Sequence, residues 1–494
     1  MAANPSGQLA QPFGYRAQPL AVIALVVVLS LGFFVGLSFL LNRFHLPVAI
    51  TAALCVALSI LCLVRMQWVL YVLVLACLFS PQLVLTEALG PTAKRPVTLR
   101  VEDVILGVIA ISWLARTAVH KELGLLMRTP LNKPILFYTL VCVVATALGF
   151  IYGWVTDTLG ASLFVLKYIE YFVLFFMVVN HVETSRDTRN LVIASLLTYL
   201  LVCLYGLAQV PQGERPSAPW ELMTGEPNTL AGYLVLLVGV CAGLFFYVRS
   251  ILHKVLCALL CTLGAVLLAF TLSRSGWLGL FGILVVFLFV GRHRLAMLTA
   301  LTVVFAVLVA SAFRTDWLPE KIAQRIDETA GKFEPLYWAP PVVILGQPLD
   351  PSASERYRSF EAALKTWVDR SNTHWIPTLT GSGVLGGSPY VDGQYIRIIS
   401  ETGLLGLAAF LLLIGVIARH AWRAYRTLEI PWHRGFALGY LAGFVGLLFH
   451  AIGANSFIIV RIMEPFFIFT AIVIHLPALE RDERARAAPG QPKP

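Results

Sequence analysis

The feature that most constrains the fold is a series of long apolar segments, which follow one another along most of the chain. An α-helix needs about 20 predominantly apolar residues to cross a bilayer. Such segments predict fourteen transmembrane helices, at residues 19–41, 45–64, 67–88, 102–119, 133–153, 160–181, 190–210, 228–248, 251–271, 275–291, 295–313, 394–417, 434–453 and 457–477. The expected fold class is therefore an all-α polytopic membrane protein with about 14 transmembrane helices.

Composition supports a membrane environment. Hydrophobic residues make up 58% of the 494 residues and charged residues only 13%, whereas soluble domains contain about 25% charged residues. The first apolar segment, at residues 19–41, is too long for the core of a signal peptide, and no small-residue cleavage site follows it. We therefore expect this segment to be a membrane span.

The distribution of charge predicts the orientation in the membrane. The net charge of +10 comes mostly from short loops between the predicted spans. If the N-terminus is cytoplasmic, every predicted inside loop is basic, as the positive-inside rule requires. The exception is the outer loop that contains Lys94, Arg95 and Arg100. We therefore expect both termini to be cytoplasmic.

The sequence has no basic stripe with interleaved aromatic residues, so we expect no nucleic-acid partner.

The cysteines indicate neither disulfides nor a metal centre. All eight lie inside apolar segments, and none forms a CxxC pair. Cysteines in such positions are typical small core residues. We expect neither a metal nor a cofactor.

The predicted spans divide the chain into five parts. Residues 1–18 form a cytoplasmic tail, residues 19–313 the first eleven spans, and residues 314–393 a large loop on the outer side. Residues 394–477 form the last three spans, and residues 478–494 a second cytoplasmic tail. A loop of this length in a compact protein is usually functional.

The large loop is expected to be partly helical. The stretch "DWLPEKIAQRIDETAG" (316–331) has helix start and stop signals at Pro319 and Gly331. The stretch "DPSASERYRSFEAALKTWVDR" (350–370) begins with Asp350 as a cap and Pro351 behind it. It then places apolar residues on one face, namely Phe360, Ala363, Leu364 and Trp367. A glycine-rich turn, "LTGSGVLGGSP" (379–389), follows and leads to Asp392.

Several ionisable residues lie inside or at the mouths of predicted spans. A charged side chain at membrane depth costs at least about 2.5–3.5 kcal/mol, so such groups face a partner or a polar cavity. They are Lys167 with Glu170, Arg397 with Glu401, Arg461 with Glu464, and the adjacent acids Glu102 and Asp103. Each opposite-charge pair is either an ion pair within its own helix or part of one cavity that opens outward. Glu102 and Asp103 are alternatively helix N-terminal caps, and we expect His374 and His450 to be structural.

Arg274 has a more specific setting. It lies in "TLSRSGWLGL" (271–280), between two serines at the start of a predicted helix. Arginine binds phosphate with two parallel hydrogen bonds, and a helix N-terminus favours anions. The sequence therefore predicts an anion site at Arg274.

Three stretches together resemble the superfamily of O-antigen ligases and polymerases. They are "GEPNTLAGYL" (225–234), "SRSGWLG" (273–279), and the segment from "RYRSFEAALKTW" to "GSGVLGGSPYVDGQYIRIISETGLLGL" (356–407). The third is similar to a family motif through Gly381, Gly383, Asp392-Gly393, Tyr395, Glu401, Gly403 and Gly406. The resemblance covers residues from about 100 to 475.

The resemblance implies a GT-C-like membrane glycosyltransferase of the bacterial inner membrane. Its donor would be an undecaprenyl-diphosphate-linked glycan, used at the periplasmic face without a metal, and the large loop would be periplasmic. Its partners would be membrane lipid and the chain-length regulator and flippase of the same pathway. The implied catalytic residues are Asp392, as base or sugar ligand, and Arg274 on the diphosphate. The implied substrate-binding residues are Arg215, Lys167, Arg356, Arg397, Tyr395, Glu401 and Asn228.

Asp392 distinguishes the subfamilies. Ligases of this family, which pass the glycan to lipid A–core, generally carry a His-Asn pair where this chain has Asp392-Gly393. The aspartate favours a polymerase of O-antigen or exopolysaccharide, and a carboxylate acts as a general base in a sufficiently dry site. The ligase is the alternative.

A flippase for lipid-linked oligosaccharides is a third interpretation, because buried charges relay ions in transporters. The sequence, however, lacks the internal repeats typical of transporters. A protein O-glycan transferase with the same donor is a fourth.

Overall fold

The computed structural model describes residues 66–80, 82–84, 98–119, 128–212, 215–219, 226–290, 341–344, 347–349, 351–387 and 391–487. The chain divides into two compact units, residues 1–66 with 107–125 and residues 67–106 with 126–494. Of the first unit, the structure describes residues 66 and 107–119, which are helical. All contacts discussed below lie within the second unit.

Helices make up most of the described residues. They are α1 (Met66–Phe79), α2 (Val101–Val119), α3 (Asn132–Ile151), α4 (Thr158–His181), α5 (Ser185–Gln209, extended by a 3-10 turn at Val210–Gln212), α6 (Pro227–Tyr247), α7 (Ile251–Phe270), α8 (Arg274–Val290), α9 (Pro351–Thr373), α10 (Ile376–Thr380), α11 (Gln394–Thr427), α12 (Pro431–His450) and α13 (Val460–Ala487). Two short antiparallel strand pairs, which the sequence did not predict, join β1 (Gln82–Val84) to β2 (Thr98–Arg100) and β3 (Val343–Ile344) to β4 (Gln347–Pro348).

Seven helices are long and apolar enough to cross a membrane: α3, α4, α5 with its 3-10 turn, α6, α7, α11 and α13. They coincide with seven of the fourteen predicted spans and are compatible with a multi-pass membrane protein. Four further predicted spans, at 67–88, 102–119, 275–291 and 434–453, coincide with α1, α2, α8 and α12, which are not among those seven. The other three, at 19–41, 45–64 and 295–313, lie outside the described residues, as does the predicted helix at 316–331. The total of fourteen spans and their orientation stay predictions.

Local sequence signals set where several helices begin. The Thr184 hydroxyl accepts a hydrogen bond from the Asp187 N–H, and the Asp187 carboxylate accepts one from the Thr184 N–H, forming a capping box before α5. Pro227 and Pro431 stand at the first turns of α6 and α12, where the missing N–H has no helical partner to lose. The predicted helix start at Pro351 is confirmed by α9.

The core is organised around the contact between α6 and α12. Both helices have glycines on the shared face, so that their backbones touch. A Cβ atom at Gly239 would lie 2.4 Å from the backbone nitrogen of Gly443, and one at Gly243 would lie 2.3 Å from that of Gly439. The order of these contacts shows that α6 and α12 run antiparallel. The N-terminal end of α6 therefore lies beside the C-terminal end of α12.

The same geometry brings α8 to this end of the bundle. A Cβ atom at Gly279 would lie 3.2 Å from the Gly446 carbonyl, and one at Gly453 would lie 2.6 Å from Ser275 Oγ. Helix α8 therefore also runs antiparallel to α12 and begins beside its C-terminal end. The start of α11 joins the group, because the Gln394 N–H donates to the Ala451 carbonyl at 3.0 Å.

Candidate functional site

The ends of four helices meet in a polar region that we call the Asp392 site. It comprises Asn228, residues 273–275, Arg356, Asp392 and residues 450–456. The Ser273 hydroxyl donates to Asn228 Oδ1 at 2.7 Å, which joins the start of α6 to the start of α8. Residues from "GEPNTLAGYL", "SRSGWLG" and the segment that starts at residue 356 thus lie together, although Asn228 and Asp392 are 164 positions apart.

Asp392 is held on a short turn between α9 and the residues that follow α12. Its carboxylate Oδ2 lies 3.4 Å from Arg356 Nε. Asn455 Nδ2 donates to the Val391 carbonyl at 2.7 Å, which fixes the backbone next to Asp392. Gly393 has φ +123, and a Cβ atom there would lie 2.8 Å from the Phe360 ring, so this turn requires glycine.

The surroundings of Asp392 differ from the dry site that a buried base would need. Its side chain is 56% exposed, and that of Arg356 is 22% exposed. The carboxylate is therefore accessible to a large substrate from solvent, with a guanidinium at its side. Its predicted role as base or sugar ligand stays a prediction.

Two further arginines lie at the turn between α7 and α8. Arg215 donates from Nε and Nη2 to the Thr271 carbonyl, at 3.2 and 2.9 Å. Arg274 is half-buried and is the first residue of α8, three positions after Thr271. The structure thus places the predicted diphosphate ligands Arg215 and Arg274 at one turn.

The first turn of α8 also carries buried donors. The Ser273 hydroxyl accepts from the Gly276 N–H at 3.1 Å and so caps the helix. Within the described residues, Ser275 Oγ and Trp277 Nε1 are buried without a hydrogen-bond partner. Gly453 packs closely against Ser275: a Cβ atom there would lie 2.6 Å from Ser275 Oγ and 3.9 Å from Arg356 Nη1. Donors, a helix N-terminus and arginines together form a setting that favours an anion.

His450 belongs to this site, although the sequence suggested only a structural residue. It is fully buried at the end of α12, and its Nδ1 lies 2.7 Å from Ser456 Oγ. A Cβ atom at Gly232 on α6 would lie 3.1 Å from its Cε1. Sequence reasoning also missed Ser273, Ser275 and Asn455. The available signal was "GANS" (453–456), a polar turn between two apolar helices.

Arg397 and Glu401 form the ion pair that their spacing predicted. Arg397 Nε lies 3.0 Å from Glu401 Oε1, and both side chains are buried. The same Glu401 oxygen accepts from the Leu385 N–H at 3.4 Å, and the Glu401 carbonyl accepts from the Gly383 N–H at 2.9 Å. The pair therefore holds the glycine-rich turn against α11. The substrate-binding role predicted for both residues stays a prediction.

Glycines of the family-like motif allow this turn to approach α11. Helix α11 is interrupted at Gly403, which has φ 65 and ψ −163. A Cβ atom there would lie 2.4 Å from the Leu379 carbonyl, and one at Gly381 would lie 2.4 Å from the Glu401 carbonyl carbon. Backbone thus packs directly on backbone, and both glycines have φ values in the region that favours glycine.

Two other predicted residues have partners apart from the Asp392 site. The Tyr395 hydroxyl donates to the Leu448 carbonyl at 2.8 Å and thereby ties α11 to α12. Lys167 Nζ lies 2.7 Å from Asp103 Oδ2 and 3.9 Å from Glu170 Oε2. No contact between described residues joins Lys167 to Asp392. The predicted substrate roles of Tyr395 and Lys167 stay predictions.

Among the described residues, no three His, Cys, Asp or Glu side chains are grouped so that they could hold a metal ion.

Comparison with known proteins adds no assignment. No protein-family model matches the sequence, and no curated protein is significantly similar to it.

Proposed function

We propose that the protein is a membrane glycosyltransferase, specifically a polysaccharide polymerase. It would transfer the glycan from undecaprenyl diphosphate to the growing lipid-linked repeat-unit chain at the periplasmic face of the inner membrane. The observation that carries the proposal is the meeting of Arg274, Arg356, Asn228 and Asp392 at one end of the helices. A carboxylate beside several cationic groups suits a reaction in which a hydroxyl attacks a sugar diphosphate.

The proposed reaction is a single displacement at the anomeric carbon. The acceptor oxygen forms a bond to that carbon, and the bond to the diphosphate oxygen breaks with inversion of configuration. The acceptor proton passes to the Asp392 carboxylate, which acts as general base once the bound glycan covers its exposed side and excludes water. The diphosphate leaves with its bonding electrons, and its growing negative charge is stabilised by Arg274, with Arg215 and Arg356 nearby. The donors of the first turn of α8 support this assignment of the leaving-group side.

The polymerase is preferred over the ligase because of Asp392. The motif position at which ligases generally carry histidine is occupied here by an exposed aspartate paired with Arg356. His450 lies nearby but is fully buried, so it is a poor candidate for the base that a large acceptor must reach. A lipid-linked repeat unit is accordingly the proposed acceptor.

The test of this assignment compares Arg274, the first residue of α8 at the Asp392 site, with an arginine just beyond the far end of α6. Arg274→Ala should reduce transfer about 10²–10³-fold, the usual loss when a preorganised charge-stabilising donor is removed. Arg249→Ala is the matched control, because Arg249 is exposed just beyond α6, about 31 Å from Asn228 along the helix axis. Transfer is measured with equal amounts of each purified variant and undecaprenyl-diphosphate-linked repeat unit.

Asp392→Asn tests the other half of the reaction. It keeps the size of the side chain and removes the base, so turnover should fall at least about 100-fold. For the first test, near-normal transfer by Arg274→Ala would contradict the proposed role of Arg274 in binding the diphosphate. Wild-type turnover by Asp392→Asn would contradict the role of the carboxylate as base.

A further inference from the structure

A second group of charged residues lies in the bundle, distinct from those of the Asp392 site. Four carboxyl groups, which we call the carboxyl cluster, come from the start of α2, from α4 and from α13. They are Glu102, Asp103, Glu170 and Glu464. The sequence suggested Glu170 and Glu464 as partners of Lys167 and Arg461 in their own helices. The structure confirms the pair of Lys167 with Glu170 at 3.9 Å, but the carboxylate closest to Lys167 is Asp103, at 2.7 Å and 64 positions away.

Glu464 is the exceptional member of the carboxyl cluster. Its side chain is fully buried. Within the described part of the chain, neither of its carboxyl oxygens has a nitrogen or oxygen hydrogen-bond partner, and the polar group beside it is the Cys77 thiol. The expected ion pair with Arg461 does not occur between these described residues; the guanidinium donates to the Ser80 carbonyl at 3.2 Å. The charged and titratable groups that act on Glu464 are Cys77 on α1, Arg100, Glu102 and Asp103 at the start of α2, and Lys167 and Glu170 on α4.

The nearby cations are already engaged by other carboxylates. Lys167 lies 2.7 Å from Asp103 and 3.9 Å from Glu170. Arg100 Nη1 lies 3.5 Å from Glu102 Oε1. A charged carboxylate that is buried without a partner loses its hydration free energy, and no ion pair or hydrogen bond compensates for the loss. In proteins such a group binds a proton and becomes neutral.

We propose that Glu464 is a buried proton-binding site, with Glu170 as a neighbouring proton acceptor and Lys167 as the fixed counter-charge. The ligand is a proton, carried as O–H on a Glu464 carboxyl oxygen. Asp103 Oδ1 and Glu170 Oε1 are likewise buried without a hydrogen-bond partner in the described part. Glu464 is therefore one of several buried carboxyl groups in this part of the bundle with an oxygen that lacks a hydrogen-bond partner.

The position of the site connects it to one end of the bundle. Helix α13 begins at Val460, so Glu464 lies about 6 Å along the axis from the first residue of the helix. The residues just before α13 form the turn of the Asp392 site, where the Phe457 N–H donates to Gln394 Oε1 at 3.0 Å. The proton site is thus adjacent to the candidate catalytic region, but its existence does not depend on glycosyl transfer.

The test uses full-length protein in lipid nanodiscs and infrared difference spectra between alkaline and neutral pH. A protonated carboxyl group has a C=O stretching band that shifts when H₂O is replaced by D₂O. We expect such a band in the wild type and its loss in Glu464→Gln. Glu480→Gln is the matched control on the same helix, because the Glu480 carboxylate already accepts from the Glu429 and Ile430 N–H groups, at 2.9 and 3.2 Å. This control should keep the band at wild-type intensity.

A second variant keeps the proposal testable if Glu464→Gln does not fold. Lys167→Met removes the positive charge 3.9 Å from Glu170 Oε2, so Glu170 should also take up a proton and the band should grow about twofold. A wild type without a protonated-carboxyl band would overturn the proposal, as would a band that persists in Glu464→Gln. Loss of the band in Glu102→Gln with its retention in Glu464→Gln would place the proton on Glu102 and overturn the assignment.

Discussion

The buried pair of Arg397 and Glu401 is expected to stabilise the glycine-rich turn, and breaking it should destabilise the protein strongly. Arg397→Met keeps an apolar chain beside Phe164, whose ring lies 5.9 Å from the guanidinium carbon. It leaves the Glu401 carboxylate with the long 3.4 Å bond from the Leu385 N–H. Glu401→Gln keeps the acceptor oxygen and leaves the guanidinium without its anion.

The burial of the pair sets the size of the effect. The two side chains are only 5% and 8% exposed. Removing one partner of such a buried pair typically costs about 3–5 kcal/mol, whereas replacing both by neutral groups is often nearly neutral. The double variant should therefore cost no more than either single variant. The coupling energy between the two sites is then at least the cost of one single variant, about 3 kcal/mol.

The assay is reversible unfolding in mixed micelles, with the free energy of unfolding measured for the wild type, both single variants and the double variant. The exposed pair of Arg356 and Asp392 supplies the control. Its members are 22% and 56% exposed, so the same cycle there should give a coupling energy of about 0–1 kcal/mol.

Two results would refute this reasoning. Additive losses at Arg397 and Glu401 would mean that the two charges do not stabilise each other. Single variants with wild-type stability and strongly reduced transfer would assign both residues to the substrate instead.

Two further predictions concern close packing and one hydrogen bond. Gly439→Ala should destabilise the protein by about 1–3 kcal/mol, because its Cβ atom would lie 2.7 Å from the Gly239 carbonyl. Gly415→Ala is the control and should not destabilise the protein, because its Cβ atom would have no atom within 4 Å. Equal thermal stability of the two variants would contradict the α6–α12 contact. Tyr395→Phe removes the 2.8 Å bond to the Leu448 carbonyl and should cost about 0.5–1.5 kcal/mol of stability. Retained transfer would make Tyr395 a structural residue, whereas a large loss of transfer at unchanged stability would support its predicted role as a substrate ligand.

Features encoded by local sequence were predictable. Long apolar segments identified the seven helices that meet the length and hydropathy required of a membrane span. Pro351 identified the start of α9, and the i+4 spacing identified the ion pair of Arg397 with Glu401. Each of these features depends on residues within a few helical turns, where composition and spacing determine the structure directly.

Features that depend on packing between distant segments were not predictable. Lys167 has a partner three positions away in its own helix, yet its closest carboxylate is Asp103. His450 looked like an ordinary core residue, and only the antiparallel contact of α6 with α12 places it beside Gly232, in the second turn of α6. The apolar periodicity shows that these helices are buried but not which faces meet, because glycines that bring two backbones together carry no charge or motif of their own.

The central claim is tested most directly with purified protein in nanodiscs and undecaprenyl-diphosphate-linked repeat unit as the only substrate, with products separated on a gel. The account predicts a ladder of longer lipid-linked chains, which is absent for Asp392→Asn. Transfer that occurs only after lipid A–core is added would contradict the polymerase and indicate a ligase. No transfer to either acceptor would contradict the glycosyltransferase itself and favour a transporter of lipid-linked oligosaccharides.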